Sequence, residues 1–210
     1  MICVSIGEMP FLNCLKIASK FPLIEARLDL LQLTPENIEA LGLQCRQWIA
    51  TCRPGNYSQR ERTILLSAAI YARATYVDIE YEAEPEYRLE LINLAKQRNC
   101  KVIISYHNFE STPDAKTLNH IIKQSNDMGA DVVKLVVTAK SKSDCALIMS
   151  LYMQHENLIA FAMGSIGKIT RIAAPFLGAA FTYVAAEETR QTAPGQLTAS
   201  EMEIIVRTLA

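Results

Sequence analysis

The sequence predicts an α/β protein folded as one (β/α)8 barrel, with eight parallel strands ringed by helices. Three observations carry this. Eight short β-like runs recur with starts roughly 20 to 30 residues apart, the spacing of βα units. Helical patterns of apolar residues lie between them. No glycine-rich GxGxxG loop follows the first run, which argues against an open doubly wound sheet. The segments GSIGK and MGSIG come late in the chain and lack Walker spacing.

The elements follow in order. MICVSIG (1–7) is the first strand, and PFLNCLKIASKF (10–21) carries apolar residues at helical spacing. LIEARLDL (23–30) is the second strand. TPENIEAL (34–41) opens with a hydroxyl residue and a Glu shortly after, as helix N-termini often do. QWIATCR (47–53) precedes the helical RERTILLSAAIYARA (60–74), and TYVDIEY (75–81) precedes PEYRLELINLAKQR (85–98). KVIISYH (101–107) is followed by AKTLNHIIKQSNDMG (115–129), where Gly129 suits the position after a helix end. The last strands are DVVKLVV (131–137), LIAFAMG (158–164) and FTYVAA (181–186), and TASEMEIIVRTL (198–209) repeats the hydroxyl-then-Glu helix start. Eight units in 210 residues sit near the lower end for the fold, so short loops and a single domain spanning 1–210 are expected.

Half of the residues are hydrophobic, enough for a sizeable core. Lys plus Arg (21) balance Asp plus Glu (22), and no basic stripe appears, so neither nucleic acid nor a membrane surface is expected as a partner. No apolar run approaches the roughly 18 residues of a membrane span, and the N-terminus does not read as a signal peptide. The six cysteines form no CxxC and lie mostly in apolar runs, as reduced buried cysteines of a cytoplasmic protein would. No metal site is expected.

Barrel chemistry sits at the C-terminal ends of strands, and alternate strand residues share a face. Polar residues recur there: Ser5; Glu25, Arg27 and Asp29; Thr51 and Arg53; Asp78 and Glu80; Ser105 and His107; Lys134. Singly, each reads as a solvated strand end or a salt bridge; together they read as a polar pocket. Lys134 stands within DVVKLVV. A lysine in an apolar setting near other cations loses its proton more easily, and the neutral amine attacks a ketone to form a Schiff base. The iminium acidifies the adjacent C–H, which His107 is placed to remove before protonating a leaving hydroxyl. The alternative is a structural ion pair between Lys134 and Glu80 or Asp78.

In order along the whole chain, EARLD (25–29), TCR (51–53), VDIE (77–80), SYHNF (105–109), VVKL (132–135), MGSIGKITR (163–171) and APGQ (193–196) resemble the type I 3-dehydroquinate dehydratase family of the shikimate pathway. The resemblance implies a lyase that dehydrates 3-dehydroquinate to 3-dehydroshikimate through an imine, with no metal or added cofactor. It implies Lys134 as the imine lysine and His107 as the general acid and base. It implies Ser5, Glu25, Arg27, Arg53, Thr192 and Gln196 as binding residues, with Arg171 holding the substrate carboxylate by a bidentate guanidinium. Thr192 stands where serine is common. Met163 is expected to pack against the substrate ring, or else to be a core residue. The small-molecule substrate is the expected partner; a homodimer and a fused shikimate dehydrogenase domain are further arrangements left open.

Two departures stand out. The family usually has an EGG-like segment after the strand-three arginine, whose glutamate supports the histidine; RPGNYSQRER stands here instead. Glu80, on the neighbouring strand, is the expected substitute, unless it serves only to balance Lys134. Asn108 replaces a common Asp, keeping an acceptor oxygen without the charge. Two other functions remain open from sequence. A Schiff-base aldolase would need a phosphate-binding Gly-rich loop after strands seven and eight, and none is evident. A degenerate, non-catalytic metabolite-binding barrel is favoured by the missing glutamate and opposed by Lys134, His107 and Arg171.

Overall fold

The computed structural model describes residues 1–186 and 195–209. Its strands are β1 (Ile2–Ile6), β2 (Leu23–Arg27), β3 (Gln47–Thr51), β4 (Tyr76–Glu80), β5 (Lys101–His107), β6 (Val132–Thr138), β7 (Leu158–Met163) and β8 (Thr182–Ala185). Helices α1 (Phe11–Lys20), α2 (Leu28–Leu31), α3 (Pro35–Gln44), α4 (Gln59–Tyr71), α5 (Pro85–Gln97), α6 (Ala115–Asp127), α7 (Lys142–Ser150), α8 (Gly164–Leu177) and α9 (Ala199–Leu209) intervene or follow. The eight expected strands are all present. They pair in parallel in the order β7-β6-β5-β4-β3-β2-β1-β8. Among the described residues no ladder joins β7 to β8, so the barrel is nearly closed. At that seam, Phe161 of β7 and Tyr183 of β8 bring their rings to 6.1 Å.

Local signals fix the helix starts. Thr34 accepts from the Asn37 amide and Pro35 opens α3, where the missing N–H is harmless. Ser58 and Glu61 form a reciprocal capping box at α4. Thr198 and Glu201 exchange the same bonds at α9. Gly129 follows α6 with φ of 99°, the left-handed backbone expected of it.

Two apolar shells result. The outer shell packs one face of each strand against the helices. The inner shell fills the barrel, with Leu23, Ile49, Tyr76, Ile103, Ile159 and Phe181 at its base. Further along the strands on the inward face the residues turn polar: Ser5, Glu25, Thr51, Asp78, Ser105 and Lys134, all buried. This polar layer is the floor of the site. Helix α8 approaches β7 so closely that a Cβ on Gly167 would lie 2.4 Å from the Ala162 carbonyl oxygen. That approach brings Arg171, one turn later, into the interior. Gly167→Ala is expected to cost about 1–3 kcal/mol by overpacking, read from urea unfolding. A loss under about 0.5 kcal/mol would mean that α8 moves off the sheet freely.

Candidate active site

The strand ends surround a cavity of about 500 Å³. Glu25, Arg27, Arg53, Glu80, His107, Lys134, Met163, Arg171 and Gln196, expected from the sequence, all line it. Ser5 does not: it is fully buried and donates its hydroxyl to Glu25 Oε2 at 2.6 Å, so it positions Glu25 from below. Thr192 lies outside the described residues.

Lys134 is 5 % exposed. Its Nζ donates to Asp78 Oδ2 at 3.0 Å and Glu25 Oε1 at 3.3 Å, and it lies 4.1 Å from the Tyr183 ring centroid. The setting therefore differs from the apolar one expected. The lysine is paired, as in the structural alternative, but with Asp78 and Glu25 rather than Glu80. Burying one ammonium among two carboxylates and a ring face satisfies its donors and offsets its desolvation. The carboxylates are themselves tied. Thr51 donates to Glu25 Oε1 at 3.0 Å, and Ser105 to Asp78 Oδ1 at 2.5 Å. Burial pushes the Glu25 and Asp78 carboxyls up, but their cationic neighbours, Lys134 first for Glu25 and Arg53 first for Asp78, hold both below the ordinary range.

Arg53 is the hub of the other half. It donates to Asp78 Oδ2 at 2.9 Å, Glu80 Oε1 at 3.0 Å and Ser105 Oγ at 2.8 Å. The second Glu80 oxygen accepts from Arg62, a buried residue of α4. Glu80 thus holds two arginines, and among the described residues no hydrogen bond or ion pair joins it to His107 or Lys134, which corrects both roles expected for it. The reason is geometric: α4 inserts a cation beside the end of β4, and two guanidinium groups take both oxygens. Arg27 forms a fork with Asp29, at 3.0 and 2.6 Å.

His107 ends β5 with no hydrogen bond to its ring among the described residues, and it stacks on Phe109 at 6.0 Å between centroids. Burial, then the cations Arg53 and Lys134, push its pKa down to about 2. The imidazole is neutral across the physiological range, the form a general base starts from. Unfolding restores a pKa of about 6.5, so the unfolded chain takes up the proton first on acidification. Stability is therefore expected to fall as pH drops below about 6.5, and the thermal midpoint of His107→Gln should fall less steeply between pH 7 and pH 5. Equal slopes for the two proteins would show that His107 does not titrate on unfolding.

Arg171 is 1 % exposed, and its guanidinium makes no hydrogen bond among the described residues. It rests 4.1 Å above the Phe161 ring, and burial lowers its pKa to about 10. A buried, charged, unpaired fork lining a cavity is built for an anion that arrives from outside.

Asn108 keeps its expected acceptor role, receiving the Glu110 and Ser111 amides at 2.9 Å each. After Arg53 the first carboxylate is Glu61, in the first turn of α4, where it is engaged in the capping box and does not line the cavity. Sequence reasoning missed Phe161, Tyr183 and Glu82 among the lining residues, and Arg62 behind them. Phe161 and Tyr183 had a signal, because they share the inward face within their strands. Arg62 had none, since a helical arginine usually faces water. Among the described residues, no cluster of three His, Cys, Asp or Glu is arranged to hold a metal, and no helix is long and apolar enough to cross a membrane.

Comparison with known proteins agrees with this geometry. A family model described as Type I 3-dehydroquinase matches residues 2–210. A 3-dehydroquinate dehydratase from Desulfotalea psychrophila is 35 % identical over 214 residues, covering 96 % of this chain and 94 % of that protein. The crystal structure of the 3-dehydroquinate dehydratase from Aquifex aeolicus superposes with a TM-score of 0.85 at 28 % identity, covering 100 % of this chain and 99 % of the other. A dehydroquinate dehydratase and shikimate dehydrogenase from S. pombe superposes with a TM-score of 0.80 at 22 % identity, covering 96 % of this chain and 43 % of that one.

Proposed function

The chain belongs to the type I 3-dehydroquinase family, and from that premise we propose how its residues carry out the reaction. The protein is a hydro-lyase that converts 3-dehydroquinate to 3-dehydroshikimate and water. In this reading Lys134 gives up a proton, and its amine adds to the ketone carbonyl. Loss of that oxygen as water leaves a C=N⁺ bond, which draws electrons from the neighbouring carbon and acidifies its C–H. His107, neutral in the free protein, takes that proton. The electrons form the new C=C bond as the β-hydroxyl departs, and the imidazolium returns the proton to it as water. Hydrolysis of the imine frees the product and the lysine.

The observation that carries the assignment of residues is Arg171. Its unpaired guanidinium lines the same cavity as Lys134, so a carboxylate held there brings the rest of the substrate over the amine. Arg27, Arg53, Glu25 and Gln196 supply donors and acceptors for ring hydroxyls, and Met163 with Phe161 supplies an apolar wall. Asp78 and Glu25 stabilise the cationic iminium as they do the ammonium. Thr192 is kept as a binding residue on the resemblance alone. Mixing protein with 3-dehydroquinate and following conjugated-enone absorbance tests the whole reading, and no absorbance change would reject it. The aldolase and non-catalytic alternatives have no support from the family match. We further propose that residues 1–210 form a single dehydratase domain, acting in the cytoplasm as a homodimer or beside a dehydrogenase domain. The domain pairing in the S. pombe protein supports the second arrangement.

A further inference from the structure

Arg62 is a buried charge that the reaction above does not use. It sits in the first turn of α4, outside the cavity, and is 7 % exposed. Its Nε donates to the Cys52 carbonyl at 2.8 Å, at the residue preceding Arg53. Its guanidinium donates to the Glu80 oxygen that Arg53 leaves open, and lies 5.1 Å from the Tyr87 ring of α5. One side chain thereby ties together the ends of β3 and β4 and the helix behind them. Ser58 and Glu61 cap α4 next to Arg62, which fixes its starting point.

We propose that Arg62 is a positioning residue for the dehydration. By occupying the second oxygen of Glu80, it leaves only one for Arg53, whose other nitrogen then reaches Asp78. Without Arg62, both Glu80 oxygens are open to Arg53. A fork-to-fork pair is the preferred guanidinium–carboxylate geometry, so Arg53 turns toward Glu80 and away from Asp78. The Cys52 carbonyl also loses its anchor. The cavity then holds a misdirected Arg53, and Asp78 has Lys134 as its one remaining cation. This rests on Arg53 and Lys134 acting as proposed above.

The test is a double-mutant cycle on steady-state kinetics, with folding checked by near-ultraviolet dichroism. Arg62→Gln is expected to raise KM and lower kcat/KM by about 10- to 100-fold, the scale of misplacing a group near the chemistry. Arg62→Gln combined with Glu80→Gln should recover about fivefold or more of that loss, because a neutral amide no longer competes for Arg53. A merely structural arginine would give no such rescue, since removing Glu80 would add a second defect. If Arg62→Gln does not fold, Arg62→Lys takes its place. It keeps the charge but cannot serve Cys52 and Glu80 together, and it should raise KM by roughly 3- to 10-fold. Wild-type KM and kcat in a folded Arg62 variant, or strictly additive losses in the cycle, would overturn the proposal. Borohydride trapping of the wild-type protein separates the two readings. No adduct on Lys134 would sink the imine mechanism, whereas an adduct with unaltered Arg62 kinetics would sink only this inference.

Discussion

Borohydride added to the protein with 3-dehydroquinate is expected to reduce the C=N⁺ bond and fix the ligand's mass on Lys134. Removing the amine should lower turnover by roughly 10⁴-fold or more, the scale seen when a covalent nucleophile is deleted. The choice of variant matters. Lys134 is the shared cation of Asp78 and Glu25. Lys134→Ala leaves those buried carboxylates short of a partner and costs about 3–5 kcal/mol of stability. Lys134→Arg retains a cation for them but offers no amine that deprotonates, so it should fold and be inactive. Substrate affinity should largely survive in Lys134→Arg, through Arg171 and Gln196. Mass spectrometry placing the adduct on another lysine would defeat the assignment.

Arg171→Ala is expected to weaken apparent substrate affinity by roughly 30- to 1,000-fold, or about 2–4 kcal/mol, for loss of a bidentate carboxylate contact. The free protein should lose little, because its guanidinium makes no hydrogen bond among the described residues. Deleting an unpaired buried charge even relieves desolvation. Stability and affinity should therefore move apart, the reverse of the pattern at Lys134. Arg171→Lys should recover little, since a point charge cannot reproduce the fork. An unchanged KM in Arg171→Ala would place the carboxylate elsewhere in the cavity.

The strands were legible because each is a short apolar run bounded by turn residues, and their spacing told the topology. Helices α7 and α8 were less so. The sequence of α8 begins at Gly164, contains Gly167 and carries Pro175, all marks of a loop. Its glycine is needed because the helix lies against β7, which is a tertiary fact. In the site, inward parity at strand ends located Glu25, Arg53, His107 and Lys134. It did not reveal pairing. Parity alone made Glu80 a natural neighbour of His107, but Arg62 reaches in from α4 and takes it, and no periodicity marks such a residue. Ser5 shows the same limit at one strand residue's depth: its side faces inward, yet Glu25 lies between it and the cavity.

The polar layer across the barrel also bears on attempts to make this protein more heat-resistant. Its ammonium, guanidinium and carboxylate groups occupy volume that aliphatic side chains would fill at least as favourably, provided the linked groups are replaced together. Variants that replace Glu25, Asp78 and Lys134 together would melt higher and catalyse nothing, whereas a change at one of them alone leaves a buried partner unpaired and melts lower. Selection for thermotolerance is better confined to the helix surfaces and to caps such as Ser58, leaving the interior layer fixed.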